Sequence, residues 1–274
     1  MIVLEGHPLK NREGRIRTQH HGEGRLGQAR KGLRALGGRQ PLCGQQEEAL
    51  LLGGAGGDTR EVWALSLQTL RWEERPPLRV ERFSPAAAAL PGGTVLCLGG
   101  FDGLDLLASV EALEPGAGEW AARPPLSTGA RQGHSAVAQA DGSVLLLGGS
   151  RLRETLRSVE RLDPATGECV ELQPMLTGRY NFAAGALGDG RLVIAGGSDI
   201  DNDVLAEAEL YDPASGASVA LPPMSTPRCY CEGVVLPDGR FAVLGGVADE
   251  DGEDFLASCE ALDPRTMTWE PLPD

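Results

Sequence analysis

The stretch VLLLGG (residues 144–149) is one of five similar segments that decide the fold of this chain. The other four are ALLLGG (49–54), VLCLGG (95–100), LVIAGG (192–197) and FAVLGG (241–246). Four consecutive apolar residues are too few for a helix, and they predict a short strand that is buried on both faces. A regular internal period indicates a structure made of repeated sheet units.

Three further strands are predicted in each repeat. An arginine precedes four of the Gly-Gly pairs by 17 residues, and a turn such as Asp-Gly lies between them, which predicts a hairpin. A third strand follows each pair and ends in an acidic residue and proline, as in SVEALEP (109–115) and SVERLDP (158–164). A fourth ends in a proline-containing segment such as RPPL (75–78). Four strands in about 47 residues match one blade of a β-propeller, and blades must stack because a single blade cannot bury both faces.

These residues resemble the kelch repeat, in which an apolar run ends in Gly-Gly and spaced aromatic residues follow. The resemblance extends over about residues 45–274. The final Trp of the pattern is present as Trp72, Trp120 and Trp269, whereas Cys169 and Ser218 replace it in the third and fourth repeats. The resemblance implies an all-β, kelch-type β-propeller of about five four-stranded blades. The residues leave open whether the ring closes with five blades or is an incomplete six-bladed ring.

The charge distribution divides the chain into a basic N-terminal tail, residues 1–39, and a propeller, residues 40–274. The tail has nine Lys/Arg and three acidic residues, a net charge of +6, whereas the rest of the chain has a net charge of −20. Because the tail lacks periodic apolar residues, we expect it to be disordered. In the first blade Leu36 replaces the repeated arginine, so residues 39–54 would supply only a poor hairpin. The predicted blades are residues 40–78, 79–127, 128–177, 178–225 and 226–274.

Composition and charge exclude several partners and cofactors. So acidic a propeller should repel nucleic acid and anionic membranes. No segment approaches the roughly 20 apolar residues of a membrane helix, and the first residues do not form a signal-peptide pattern. The six cysteines include no CxxC motif, which favours reduced thiols in a cytoplasmic protein. We expect no metal or cofactor, because SDIDND (198–203) lacks the later glycine and glutamate of a calcium loop and DEDGED (249–254) is spaced no better.

The repeated arginines are the candidate binding residues. Each begins the innermost strand of its blade, so we expect them to surround one mouth of the central channel: Arg82, Arg131, Arg179 and Arg228. Polar neighbours complete the predicted partner site: His134, Tyr180, Asn181 and Tyr230. In kelch adaptors, arginines at this position bind acidic peptides, and the guanidinium group suits this role because it binds carboxylates through two hydrogen bonds. An alternative remains open, because glutamates recur equally regularly and could form an ion pair with each arginine: Glu111, Glu160, Glu209 and Glu260.

The function that we predict is a protein-interaction scaffold or adaptor, not an enzyme, whose partner is a protein or an acidic peptide. The copper oxidases that share the kelch propeller need paired histidines, whereas His134 is the one histidine outside the tail. Two alternatives remain. One is an epimerase-like or sialidase-like enzyme that acts on an anionic sugar in the channel, and the other is a substrate adaptor of a ubiquitin ligase. The sequence does not determine the oligomeric state.

Overall fold

Five four-stranded sheets form the computed structural model, which describes residues 2–5, 48–52, 60–152, 154–249 and 255–272. The predicted all-β propeller of five blades is confirmed. In blades 2 to 5 the strands follow one another in sequence order from the inside outwards, and all neighbours are antiparallel. The strands of blades 1 and 2 are β1 (Ile2–Glu5), β2 (Glu48–Leu52), β3 (Val62–Ser66), β4 (Trp72–Arg75), β5 (Ala86–Ala89), β6 (Val95–Leu98), β7 (Val110–Leu113) and β8 (Ala121–Arg123).

Blades 3 to 5 repeat this arrangement, with a small extra hairpin in one loop of blade 3. That hairpin and the other strands of blade 3 are β9 (Ser135–Ala138), β10 (Val144–Leu147), β11 (Ser150–Arg151), β12 (Glu154–Thr155), β13 (Val159–Leu162) and β14 (Cys169–Glu171). Blades 4 and 5 contain β15 (Ala183–Ala186), β16 (Leu192–Ala195), β17 (Ala208–Asp212), β18 (Ala217–Leu221), β19 (Glu232–Val235), β20 (Phe241–Leu244), β21 (Cys259–Asp263) and β22 (Thr268–Leu272). The second strands of blades 2 to 5 are buried along their whole length, as the apolar runs predicted.

The innermost strands close the ring. Strand β5 contacts β9, β9 contacts β15, β15 contacts β19, and β1 contacts both β19 and β5. Strand β1 pairs with β2 in parallel, unlike the hairpins of the other blades. From the sequence, Ile2–Glu5 is expected in the disordered tail, whereas in the structure it forms a strand. The segment lies far from β2 in the chain and has no repeat motif, so no sequence pattern indicates the pairing. The other residues of the predicted tail, and residues 39–47 of the proposed hairpin, lie outside the described part of the chain.

The Gly-Gly pairs attach each blade to the next one. Their second amides donate hydrogen bonds to the main-chain carbonyl of the repeated arginine in the following blade: Gly100 to Arg131 at 2.8 Å, Gly149 to Arg179 at 2.9 Å and Gly197 to Arg228 at 2.9 Å. A Cβ atom at Gly100 would lie 2.8 Å from the carbonyl oxygen of Phe83, and φ of Gly100 is +100°. Glycine is therefore needed both for its conformation and for the close approach of two backbones.

Aromatic side chains provide a second link between blades. The indole Nε1 of Trp120 donates a hydrogen bond to the carbonyl of Pro76 in the preceding blade, at 2.8 Å. In blade 4, where Ser218 replaces the Trp, the hydroxyl of Tyr211 donates to the carbonyl of Gln173 at 2.8 Å. Gln173 occupies the position of Pro76 in its own repeat. A different aromatic residue therefore preserves the same contact.

Alanine at Gly100 should destabilise the protein more than alanine at Gly103. Both residues have φ of +100°, but a Cβ atom at Gly103 would meet nothing within 4 Å. We expect G103A to cost about 1 kcal/mol from backbone strain, and G100A a further ~1–3 kcal/mol from steric overlap. Urea unfolding of the two variants measures the difference. Equal losses would show that the close approach of Gly100 to Phe83 within blade 2 does not contribute to stability.

Candidate functional site

The four repeated arginines are completely buried, and each forms an ion pair with the recurring glutamate of its own blade. The side chains of all four have at most 1% of their surface exposed. The distances between Nη2 and Oε1 are 2.9 Å for Arg82–Glu111, 2.6 Å for Arg131–Glu160, 3.4 Å for Arg179–Glu209 and 2.7 Å for Arg228–Glu260. The sequence left open whether these arginines pair with the recurring glutamates, and in the structure they do.

Each arginine also donates hydrogen bonds to polar groups of its own blade. In blade 2, Nη1 of Arg82 donates to the carbonyls of Gly99 at 2.7 Å and Ser109 at 2.8 Å. The paired Glu111 accepts hydrogen bonds from the amides of Arg79 at 2.7 Å and Val80 at 3.2 Å. The ion pair thus binds the segment that enters the blade to the second and third strands of that blade.

Electrostatics supports the charged state of these carboxylates. Burial raises the pKa of Glu160, but the charge of Arg131 and hydrogen bonds from Thr128, Arg131 and Ser158 outweigh it and leave the pKa below its usual value. The pKa of Glu260 is lowered in the same way, with burial opposed by Ser225 and Arg228. Burial also lowers the pKa of Arg179, against the charge of Glu209. Each buried charge therefore has a compensating partner, as burial requires.

That these arginines bind a partner at the channel mouth stays a prediction from the sequence, and their burial gives it no support. Their guanidinium groups have no exposed surface and already bind carboxylates, carbonyls and hydroxyls of their own blades. The sequence places each arginine at the start of the inner strand, whereas the structure places it four residues before that strand, in the segment that enters the blade. Spacing also could not show whether the side chain points towards solvent or into the blade.

The other predicted site residues lie next to the arginines, and the structure brings several of them together. The amide of Asn181 donates to the carbonyl of Gly133 at 2.7 Å, and that of Tyr230 donates to the carbonyl of Asn181 at 2.8 Å. The side chain of Asn181 also forms a hydrogen bond with Tyr230, whose pKa is raised by burial and then by the charges of Cys229 and Tyr180. These contacts connect neighbouring blades. The hydroxyl of Tyr180 donates to Asn202 at 2.6 Å on the exterior.

His134 is a core residue and not part of a channel mouth. It is 1% exposed, and neither ring nitrogen has a hydrogen-bond partner. The equivalent residue of blade 4, Phe182, belongs to the apolar core between blades. The imidazole is therefore a polar side chain in an apolar position.

The thiols of the cysteines on either side of Tyr230 are buried, which favours their protonated form. Burial raises the pKa of the Cys229 thiol to about 11 and that of Cys231 to about 12. A protonated thiol reacts slowly, because the thiolate is the nucleophile. In the part of the chain that the structure describes, no group of three or more His, Cys, Asp or Glu residues could hold a metal ion. Asp199 instead accepts the amides of Asp201 and Asp203 within its own loop, at 2.9 and 3.0 Å.

A set of exposed apolar residues has no counterpart among the site residues predicted from the sequence. One lies in each loop that follows a Gly-Gly pair in blades 2 to 5: Leu104 (88% exposed), Leu152 (97%), Ile200 (54%) and Phe255 (42%). These loops join the second and third strands, and antiparallel order puts them on the same side of the ring as the segments between blades. We call this side the loop face. Each of these loops also contains apolar residues that are buried or half-buried, such as Leu156 and Leu205, and the sequence does not distinguish the exposed ones from them.

The loop face is predominantly acidic. The loops of blades 2 and 4 contain two and four acidic residues: Asp102, Asp105, Asp199, Asp201, Asp203 and Glu207. The loop of blade 5 continues the pattern with Asp249. The loop of blade 3 instead contains basic residues, among them Arg151, whose Nη2 donates to the carbonyl of Thr128 at 2.5 Å. The loop face thus combines exposed apolar side chains with negative charge.

The closed ring of five radial sheets with interlocked blades defines a β-propeller. The kelch motif matches residues 82–127 and 133–176, which are parts of blades 2 and 3. Among solved structures, the one titled "Structure of YjhT" is similar to this chain, with a TM-score of 0.65, 13% sequence identity and coverage of 83% of this chain and 84% of that one. Two blades of this β-propeller therefore carry the kelch motif.

The curated proteins include none that is similar in sequence. No helix long and apolar enough to cross a membrane occurs among the residues that the structure describes.

Replacing His134 with Phe should make stability less sensitive to acid. Burial, and then the charges of Arg131, Arg151 and Arg82, hold the pKa of His134 well below 6.5. As the pH falls below 6.5, the unfolded chain binds a proton that the folded chain excludes. The free energy of unfolding therefore decreases by at most about 1.4 kcal/mol per pH unit from this group, and H134F removes that contribution.

Urea midpoints of the wild type and H134F at about pH 7.5 and 5.5 measure this effect. The wild type should lose more stability over this interval than the variant does. Parallel losses would show that the imidazole of His134 is protonated in the folded protein.

Proposed function

We propose that this kelch propeller is a protein-interaction module that binds its partner on the loop face. The observation that carries the proposal is the exposed apolar residue in each loop of blades 2 to 5. An exposed apolar side chain alone is ordinary, but a set of them on one face is typical of a binding surface. Kelch propellers commonly bind proteins, which agrees with this use of the loops.

The charge of the loop face indicates the chemistry of the partner. The basic side chains of the predicted site are buried in ion pairs, whereas carboxylates such as Asp102, Asp201 and Asp203 lie in surface loops. An acidic peptide would meet negative charge here. We therefore propose a partner with apolar side chains flanked by Lys or Arg, the opposite of the acidic peptide expected from the sequence.

A third feature of the loop face is suited to contact. The rings of Phe83 and Phe101 lie with their centroids 6.4 Å apart at an angle of 42°, where the segment entering blade 2 meets its loop. Both rings are partly exposed. Aromatic side chains contribute strongly to interfaces, because they bury a large area and lose little conformational freedom.

The enzymatic alternative has no comparable support. It needed arginines in the channel to bind an anionic sugar, and Arg82, Arg131, Arg179 and Arg228 are engaged by glutamates. The roles as a ubiquitin-ligase adaptor and as a cytoplasmic protein stay predictions from the sequence.

Aspartate at Leu152 should weaken partner binding, whereas aspartate at Leu70 should not. Both leucines are exposed and have positive φ, 47° and 55°, so Asp is tolerated equally well at the two positions. Leu70 lies in the turn between β3 and β4, at the opposite end of the blade from the loop face. We expect L152D to reduce affinity at least about tenfold, as for a central apolar contact, and L70D to leave it unchanged.

The measurement uses peptide arrays of equal apolar content, one half with Lys/Arg and the other with Asp/Glu, probed with the wild type and both variants. The proposal expects binding to basic peptides that decreases with salt and with L152D. Preferential binding of acidic peptides would contradict the proposed partner, and equal effects of L152D and L70D would contradict the proposed face.

A further inference from the structure

The outermost strand of blade 4 differs from the other outer strands. Its sequence, ASVAL (217–221), contains no charged residue and no proline. Each of the other four outer strands contains at least one such residue: Glu73, Glu74 and Arg75 in β4, Arg123 in β8, Glu171 in β14, and Glu270 and Pro271 in β22. Charged residues and proline protect exposed strand edges from pairing with other chains.

The outer edge of β18 is available for a further strand. β18 ends the order β15-β16-β17-β18, so within the described residues its outer side has no neighbouring strand. It is five residues long, whereas β8 and β14 have three residues each. Ala217, Val219 and Ala220 are exposed, Val219 to 60%. Among the outer strands, β18 is therefore the one best suited to pair with a strand of another molecule.

We propose that β18 pairs antiparallel with β18 of a second copy of this chain, about a two-fold axis that passes between the two Val219 residues. A second copy is the proposed partner because two β18 strands are complementary to each other in antiparallel order. In this register Ala217 lies opposite Leu221, Ser218 opposite Ala220, and Val219 opposite Val219. No like charges face each other, and the contact is the same for both copies.

The nearest buried charge does not oppose the pairing. Glu209 on the adjacent strand β17 accepts a hydrogen bond from the Ser218 hydroxyl at 2.5 Å and pairs with Arg179 at 3.4 Å. The hydroxyl of Ser218 is therefore directed back to its own blade. The contact uses the side of the ring, so the loop face remains open in the dimer, and the inference is independent of the proposed function.

The dimer should be weak and dependent on salt. One strand per copy forms a contact smaller than that of a typical stable complex. The two copies each have a net charge of −14, so screening by salt should strengthen their association.

Sedimentation equilibrium over a range of concentrations tests the proposal with a matched pair of variants. V219K places two lysines directly opposite each other and should weaken the dimer at least about fivefold. V170K is the control, because Val170 has the equivalent position in β14 and is 63% exposed, close to the 60% of Val219. V170K should dimerise like the wild type, and circular dichroism checks that both variants fold.

Mixing V219K with V219E tests the register. The lysine of one copy then faces the glutamate of the other, so the mixture should associate at least as well as the wild type. The proposal is overturned if the wild type stays monomeric at its highest soluble concentration, if V170K weakens association as much as V219K, or if the mixture does not associate.

Discussion

The buried ion pair between arginine and glutamate fixes the place where the chain enters each of blades 2 to 5. In blade 2, the arginine binds carbonyls at the end of the second strand and the start of the third, and the glutamate binds amides of the entering segment. The main-chain carbonyl of the next arginine then accepts the amide of Gly100. Each repeat is therefore attached both to itself and to its neighbour, and the regular spacing of arginine, Gly-Gly and glutamate follows from these contacts.

This use of charge inside the blades determines what is left on the surface. The four arginines that might have made the ring mouth basic are neutralised within the structure. The middle of each loop lies outside this network and presents exposed apolar side chains such as Leu104 and Leu152. The scaffold is thus common to all repeats, whereas the loops differ from blade to blade. Recognition of a partner is expected from the part of the repeat that varies.

Much of the fold could be predicted from the sequence, and the candidate site only in part. The apolar runs before Gly-Gly predicted the buried second strands correctly, because four apolar residues in a short strand have few alternatives. Strand β1 was missed because its partner β2 lies more than 40 residues away and the pairing is parallel. Pairing of Arg131 with Glu160 was one of two open readings, since spacing gives the position of a side chain in a strand but not its direction. Leu152 and Phe255 were missed because their loops contain further apolar residues, such as Leu156 and Leu256, and no periodicity separates the exposed ones from the others.

A double-mutant cycle on Arg131 and Glu160 tests most directly whether the buried ion pair holds the entering segment of a blade to the strands of that blade. The variants are R131M, E160Q and the double variant, and the free energy of unfolding is measured with urea. The account predicts that R131M costs about 3–5 kcal/mol, because it leaves a buried carboxylate without its partner, and that the double variant is less damaging than the sum of the two. Small, additive losses of the size expected for an exposed pair such as Arg191–Asp189 would contradict it.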